Sequence, residues 1–133
     1  MNQHPYLRAY MAGIVIPTLF LLLAMTAFTI ARYVYDVPLP IERVIVFPLT
    51  IVPNLWGLWN ILYVAFLSRR QVSIGAFGAL LPFLLGPGGW LMANLFELPI
   101  PRVTPFLFPL GVIAYYLLWK HVVGRLNAII GVA

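Results

Sequence analysis

The residues best suited to chemistry lie in one apolar stretch, Pro53-Asn54-Leu55-Trp56-Gly57-Leu58-Trp59-Asn60, which sets two amides and two indoles among leucines. At about 100° per residue a helix here puts Trp56, Trp59, Asn60 and Tyr63 on one face and turns Asn54 nearly the opposite way. A straight helix therefore cannot aim both asparagines at one site. Two readings follow. In the first, the aromatic face holds a hydrophobic pigment, a quinone or a lipid tail, with Asn60 as polar anchor. In the second, which the residue types favour, Asn54 and Asn60 bond between helices and the Trp face packs on another chain, each bond contributing about 1 kcal/mol.

A second candidate is Gly86-Pro87-Gly88-Gly89. Three weak helix formers and one breaker predict an interruption, which could expose helix ends to a ligand as in carriers built from repeats. The competing role is a glycine-lined contact between two helices. Tyr115 and Tyr116 complete the candidate set, because Tyr115 matches Asn54 in the internal repeat described below.

Other chemistry lacks residues. Asp36, Glu42 and Glu97 are the only acidic side chains, and all fall in connections, so no carboxylate lies within an apolar run. Asp36 and Glu97 are expected to be solvated loop acids, although together they would form a cation-attracting ring. His4 and His121 have no sequence partner, which argues against a haem held by two histidines. No nucleophile elbow, phosphate loop or metal-spaced histidine pair occurs, so no catalytic residue and no metal site is assigned. With no cysteine, thiolate chemistry and disulfides are excluded.

The elements that must position these residues follow from composition. Of 133 residues, 63% are apolar and 8% charged, too few to coat a water-soluble domain. The net charge of +5 does not indicate nucleic acid, because the basic residues are dispersed between apolar runs. The expected fold is an all-α integral membrane domain with four transmembrane helices, about 9–31, 44–68, 72–96 and 103–123, arranged as two tandem helical hairpins. Arg69, Arg70 and Gln71 make so short a connection that the second and third helices must be antiparallel neighbours. The last ten residues, 124–133, are expected to lie along the membrane surface.

The stretch Tyr35–Leu49, YDVPLPIERVIVFPL, returns without a gap at Phe96–Leu110, FELPIPRVTPFLFPL. Asp36 matches Glu97, Pro38 and Pro40 match Pro99 and Pro101, and Arg8 matches Arg69 at the same offset. This predicts a duplication, with repeats at 8–68 and 69–133. Arg8, Arg69, Arg70, Lys120 and Arg125 stand on one side of the four crossings, against Arg32, Arg43 and Arg102 on the other, which favours both termini in the cytoplasm. The expected role is that of an accessory subunit of a larger membrane complex, in contact with lipids and with other membrane subunits or further copies of itself. The alternative is a small homo-oligomeric channel or transporter with a midplane site at the repeat interface.

Overall fold

The structure is a computed structural model that describes residues 3–38 and 50–132. Among them the secondary structure is entirely helical. Helix α1 spans Pro5–Tyr33, and α2 spans Val52–Leu62 and passes into a π turn at Tyr63–Leu67. Helices α3, Ile74–Gly78, and α4, Leu81–Leu95, follow. Helix α5, Thr104–Leu118, continues through a second π turn, Trp119–Val123, into α6, Gly124–Ile129. Among the described residues, three helical runs are long and apolar enough to cross a membrane: Pro5–Tyr33, Ile74–Leu95 and Thr104–Ile129. The end of the expected connection, with Pro40, Glu42 and Arg43, and the first part of the expected second helix, residues 44–49, lie outside the described residues.

Helix α1 runs through Pro17, which lacks the N–H for one rung of the helix ladder but sits buried against α2. Its inward side is small: Ala9, Ala12, Gly13 and Pro17 are all buried. That allows the backbones of α1 and α2 to touch. A Cβ on Gly13 would lie 2.6 Å from the Trp56 carbonyl oxygen and 2.9 Å from Gly57 Cα. Ala9 meets Asn60 while Gly13 meets Gly57, so the two helices run in opposite directions. Because the obstacle to a side chain is backbone, no rotamer change relieves it. Gly13→Val is expected to cost about 2 kcal/mol, read as a lower midpoint when helicity is followed against increasing SDS in mild detergent.

The α3–α4 run and the α5–α6 run also pair in opposite directions. Gly78 lies under Trp119 and Gly86 beside Phe108, while Gly124 approaches Ile74. The core between the two pairs is Trp56, Leu81, Trp119 and Val123.

Two expectations are corrected. Gly86-Pro87-Gly88-Gly89 does not interrupt its helix, because α4 continues through all four residues. The break falls earlier, at Ala79–Leu80, where tight turns from Leu80 N–H to Phe77 O (3.2 Å) and from Phe83 N–H to Leu80 O (3.1 Å) replace the regular ladder. Pro82 accounts for this: it has no N–H for Gly78 O, and its ring crowds that carbonyl. Pro87 meets the same difficulty one turn into an established helix, where one missing bond is tolerated.

The second correction concerns residues 124–132, expected on the surface. Residues 124–129 extend the last helix instead, and Asn127 is fully buried. Successive fourth residues drift about 40° around an α-helix, and the wider winding of a π turn takes that drift back. Trp119, Val123 and Asn127 thereby share one line, and all three are 0% exposed.

Candidate functional site

The inward face of α2 carries the site. Asn60 is 0% exposed, and its Nδ2 donates both to Ala9 O on α1 (2.7 Å) and to Asn127 Oδ1 on α6 (2.8 Å). Asn127 Nδ2 returns a bond to Asn60 Oδ1 at 2.8 Å. The two amides form a closed reciprocal pair. Both Nδ2 hydrogens of Asn60 are used, so a ligand could be anchored there only by breaking the pair.

One turn earlier, Trp56 is 2% exposed and donates its indole N–H to Tyr115 Oη at 3.2 Å. Its ring meets Tyr115 edge-on at 5.0 Å and Trp119 at 5.3 Å, arrangements favoured by the ring quadrupoles. Trp119 Nε1 is buried with no hydrogen-bond partner among the described residues.

The other two aromatic residues of the α2 face turn to α3. Trp59 stacks on Phe77 with centroids 4.7 Å apart and donates Nε1–H to Phe77 O at 2.8 Å. That carbonyl also accepts the tight-turn bond from Leu80 N–H, so the indole braces the chain at the break before Pro82. Tyr63 Oη donates to Val72 O at 2.9 Å and ties the end of α2 across the Arg69-Arg70-Gln71 turn. Trp56, Trp59, Asn60 and Tyr63 thus share an inward side, as their spacing predicts, and bind different neighbours. The expectation that the Trp face packs on another chain is corrected: Trp56 and Trp59 pack on later helices of the same chain.

Asn54 points away from this group. It accepts from the Tyr10 hydroxyl of α1 and donates Nδ2–H to Thr50 O at 2.6 Å. Tyr115 bonds Trp56 and not Asn54, the residue it matches in the expected repeat. Tyr116 lies against Gly75, with the Lys120 ammonium 5.7 Å from its ring centroid. Gly86, with Pro87, Phe83, Trp90 and Phe108, lines an open apolar groove of about 570 Å3. Gly88 and Gly89 are half-buried helical residues of α4.

Asn127 is the participant that sequence reasoning misses. It is an isolated amide in an apolar tail, Ala128-Ile129-Ile130 following it directly, and that contrast was the available signal. Its alignment with Asn60 depends on the π turn, which the sequence does not announce. Asp36, Glu97, His4 and His121 are all exposed. Among the described residues no group of three His, Asp or Glu side chains could hold a metal ion.

Chemically, the arrangement can fix helices in register. Its asparagines bond to one another and to backbone carbonyls, the Trp56 and Trp59 indoles bond the Tyr115 hydroxyl and the Phe77 carbonyl, and its hydrophobic remainder excludes water. No protein family, curated protein or solved structure matches this chain.

Proposed function

We propose that the chain is an accessory subunit of a larger integral-membrane assembly, contributing a rigid multi-pass helical element that packs against partner helices and lipids. The observation that supports this is the division between inside and outside. The amides and most indoles of the centre are bonded within the chain, whereas the outward faces are apolar: Leu23 is 72% and Phe106 79% exposed. Faces of that kind suit acyl chains or other apolar helices.

The proposal includes two duplicated helical hairpins, 8–68 and 69–133. In its favour, the matched acids Asp36 (φ 55°) and Glu97 (φ 54°) both adopt left-handed backbone just after a helix ends. Few residues other than glycine do so, and helix termini are where such a residue serves to close off the last turn. The basic end of the bundle is assigned to the cytoplasm.

A small homo-oligomeric channel or carrier would draw on a different feature. A cavity of about 280 Å3 lies where the proposed halves meet, lined by Ile16, Pro17, Val52, Trp56, Tyr115 and Leu118 among others. Among the described residues no charged side chain lines it. Gentle detergent extraction from native membranes separates the two: stoichiometric larger partners are expected to accompany the chain, and recovery as a homo-oligomer alone would overturn the accessory reading.

A further inference from the structure

The extended last helix changes the setting of one cation. A helix ending near residue 123 would leave Lys120 at the membrane edge, but the run continues to Ile129, nine residues further on. Its depth can be gauged against the neighbouring helix. Asn60 bonds both the Ala9 carbonyl of α1 and Asn127 of α6, so Ala9 and Asn127 stand at one level. Arg8, which closes the uncharged part of α1, belongs to that level too, lining the apolar groove between α1 and α6 with Leu126 and Ile130. Lys120 lies seven residues back along its own helix, which is about 10 Å deeper at 1.5 Å per residue.

The Lys120 ammonium does not turn back toward that edge. It lies 5.7 Å from the ring centroid of Tyr116, one turn nearer the middle of the run. A cation–π contact offsets only part of the cost of holding a charge among hydrocarbon chains. No carboxylate among the described residues pairs with it: Asp36 and Glu97 follow the opposite ends of α1 and α4, and Glu42 falls in the sequence between Asp36 and α2. A second copy inserted in the same direction presents the same cation at that depth. The side chain is exposed, and so are Ile113 and Leu117, which lie within about 60° of it around the helix axis. Lys120 thus stands in an outward apolar strip, below the headgroups and without an acid of its own.

We infer that Lys120 forms an ion pair inside the membrane with a carboxylate on a transmembrane helix of a partner subunit, seated along Ile113, Leu117 and Lys120. Each charge alone must draw water into the hydrocarbon or reach out of it, whereas the two together satisfy one another where the low dielectric strengthens their attraction. A lipid phosphate is the poorer match, because it stays with the headgroups near the level of Arg8 while the ammonium is turned toward Tyr116. This inference rests on the accessory-subunit reading and supplies the chemistry of the partner.

The test places the full chain, fluorescently labelled, in phosphatidylcholine vesicles with a synthetic leucine–alanine transmembrane peptide of about 22 residues that carries one central Glu, or Gln in its place. Association is read by energy transfer. The Glu peptide is expected to bind about fivefold more tightly than the Gln peptide. Lys120→Gln should abolish this preference, Arg125→Gln, nearer the helix end, should leave it unchanged, and Lys120→Glu should transfer it to a peptide with a central Lys. Because Lys120 is exposed, its variants should unfold at the SDS midpoint of the parent. Equal binding of the Glu and Gln peptides by the parent, or equal losses in Lys120→Gln and Arg125→Gln, would overturn the ion pair. Loss of the preference in phosphatidylglycerol vesicles would also overturn it, by assigning the ammonium to headgroup phosphates. In native membranes, Lys120→Gln should lose on gentle extraction the stoichiometric partners that the parent retains. Equal retention by both would overturn the ion pair and leave the accessory role standing, whereas recovery of the parent as a homo-oligomer alone would overturn both.

Discussion

Gly78→Ala is expected to destabilise the chain by about 3 kcal/mol, at the upper end of what overpacking usually costs. The added methyl would sit 2.0 Å from Trp119 Cγ and 2.4 Å from both its Cβ and its Cδ1. These atoms lie at the root of the side chain, where changing χ2 moves Cγ and Cβ very little. The indole also has nowhere to go, being 0% exposed and packed on Trp56. Relief must come from separating α3 from the last helix, which would uncover the core formed by Leu81, Trp119 and Val123. Gly75→Ala makes the useful contrast: its methyl would meet the Tyr116 ring edge at 2.9 Å, and that half-buried ring can pivot outward. The midpoint of SDS unfolding should fall strongly for Gly78→Ala and mildly for Gly75→Ala. A second change, Trp119→Leu, should recover part of the Gly78→Ala loss. If Gly78→Ala matched the parent, or if Trp119→Leu only added to the damage, the close approach described here would be wrong.

Much of the architecture is legible in the residues because it depends on quantities that add along the chain. An uncharged run from Ala9 to Ala31 reads as a helix whatever surrounds it, and the structure extends it to Pro5–Tyr33. The inward face of α2 follows from periodicity alone, which separates Asn54 from Asn60 before any neighbour is known. What the sequence conceals depends on competition between neighbours. Gly86-Pro87-Gly88-Gly89 is the more conspicuous breaker, yet Pro82 makes the break, and the Phe77 carbonyl beside it takes the Trp59 indole N–H from another helix as well as the Leu80 N–H. Composition could not have chosen between them. The tail is hidden for a similar reason. Residues 124–132 read as a short surface segment until the π turn at Trp119–Val123 is seen to carry the helix on and to hold Asn127 in the buried line. The outward aromatic groove at Gly86 and the apolar groove between α1 and α6 are likewise products of helix pairing, with linings drawn from separate stretches.

The amide pair offers the sharpest separation between a structural and a transport role for the centre of the molecule. Asn127→Leu removes both reciprocal bonds and leaves Asn60 Oδ1 and one Nδ2 hydrogen buried without partners, at an expected cost of about 1–2 kcal/mol. Asn60→Leu should cost more, about 2–3 kcal/mol, because the Ala9 carbonyl also loses its donor and α1 is released together with α6. In the double variant no amide remains to be stranded, so its cost should fall short of the sum of the singles by at least about 1 kcal/mol, well outside the additivity of independent sites. The three variants and the parent form a cycle that SDS unfolding can follow in one detergent. Additive losses would mean that the two side chains do not sense each other. A carrier whose substrate is held by Asn60 makes the opposite demand: Asn60→Leu would stop flux in reconstituted vesicles while leaving the unfolding midpoint where it was. Since both Nδ2 hydrogens of Asn60 are committed to protein acceptors, stability is the property expected to move, and flux would change only as folded protein is lost.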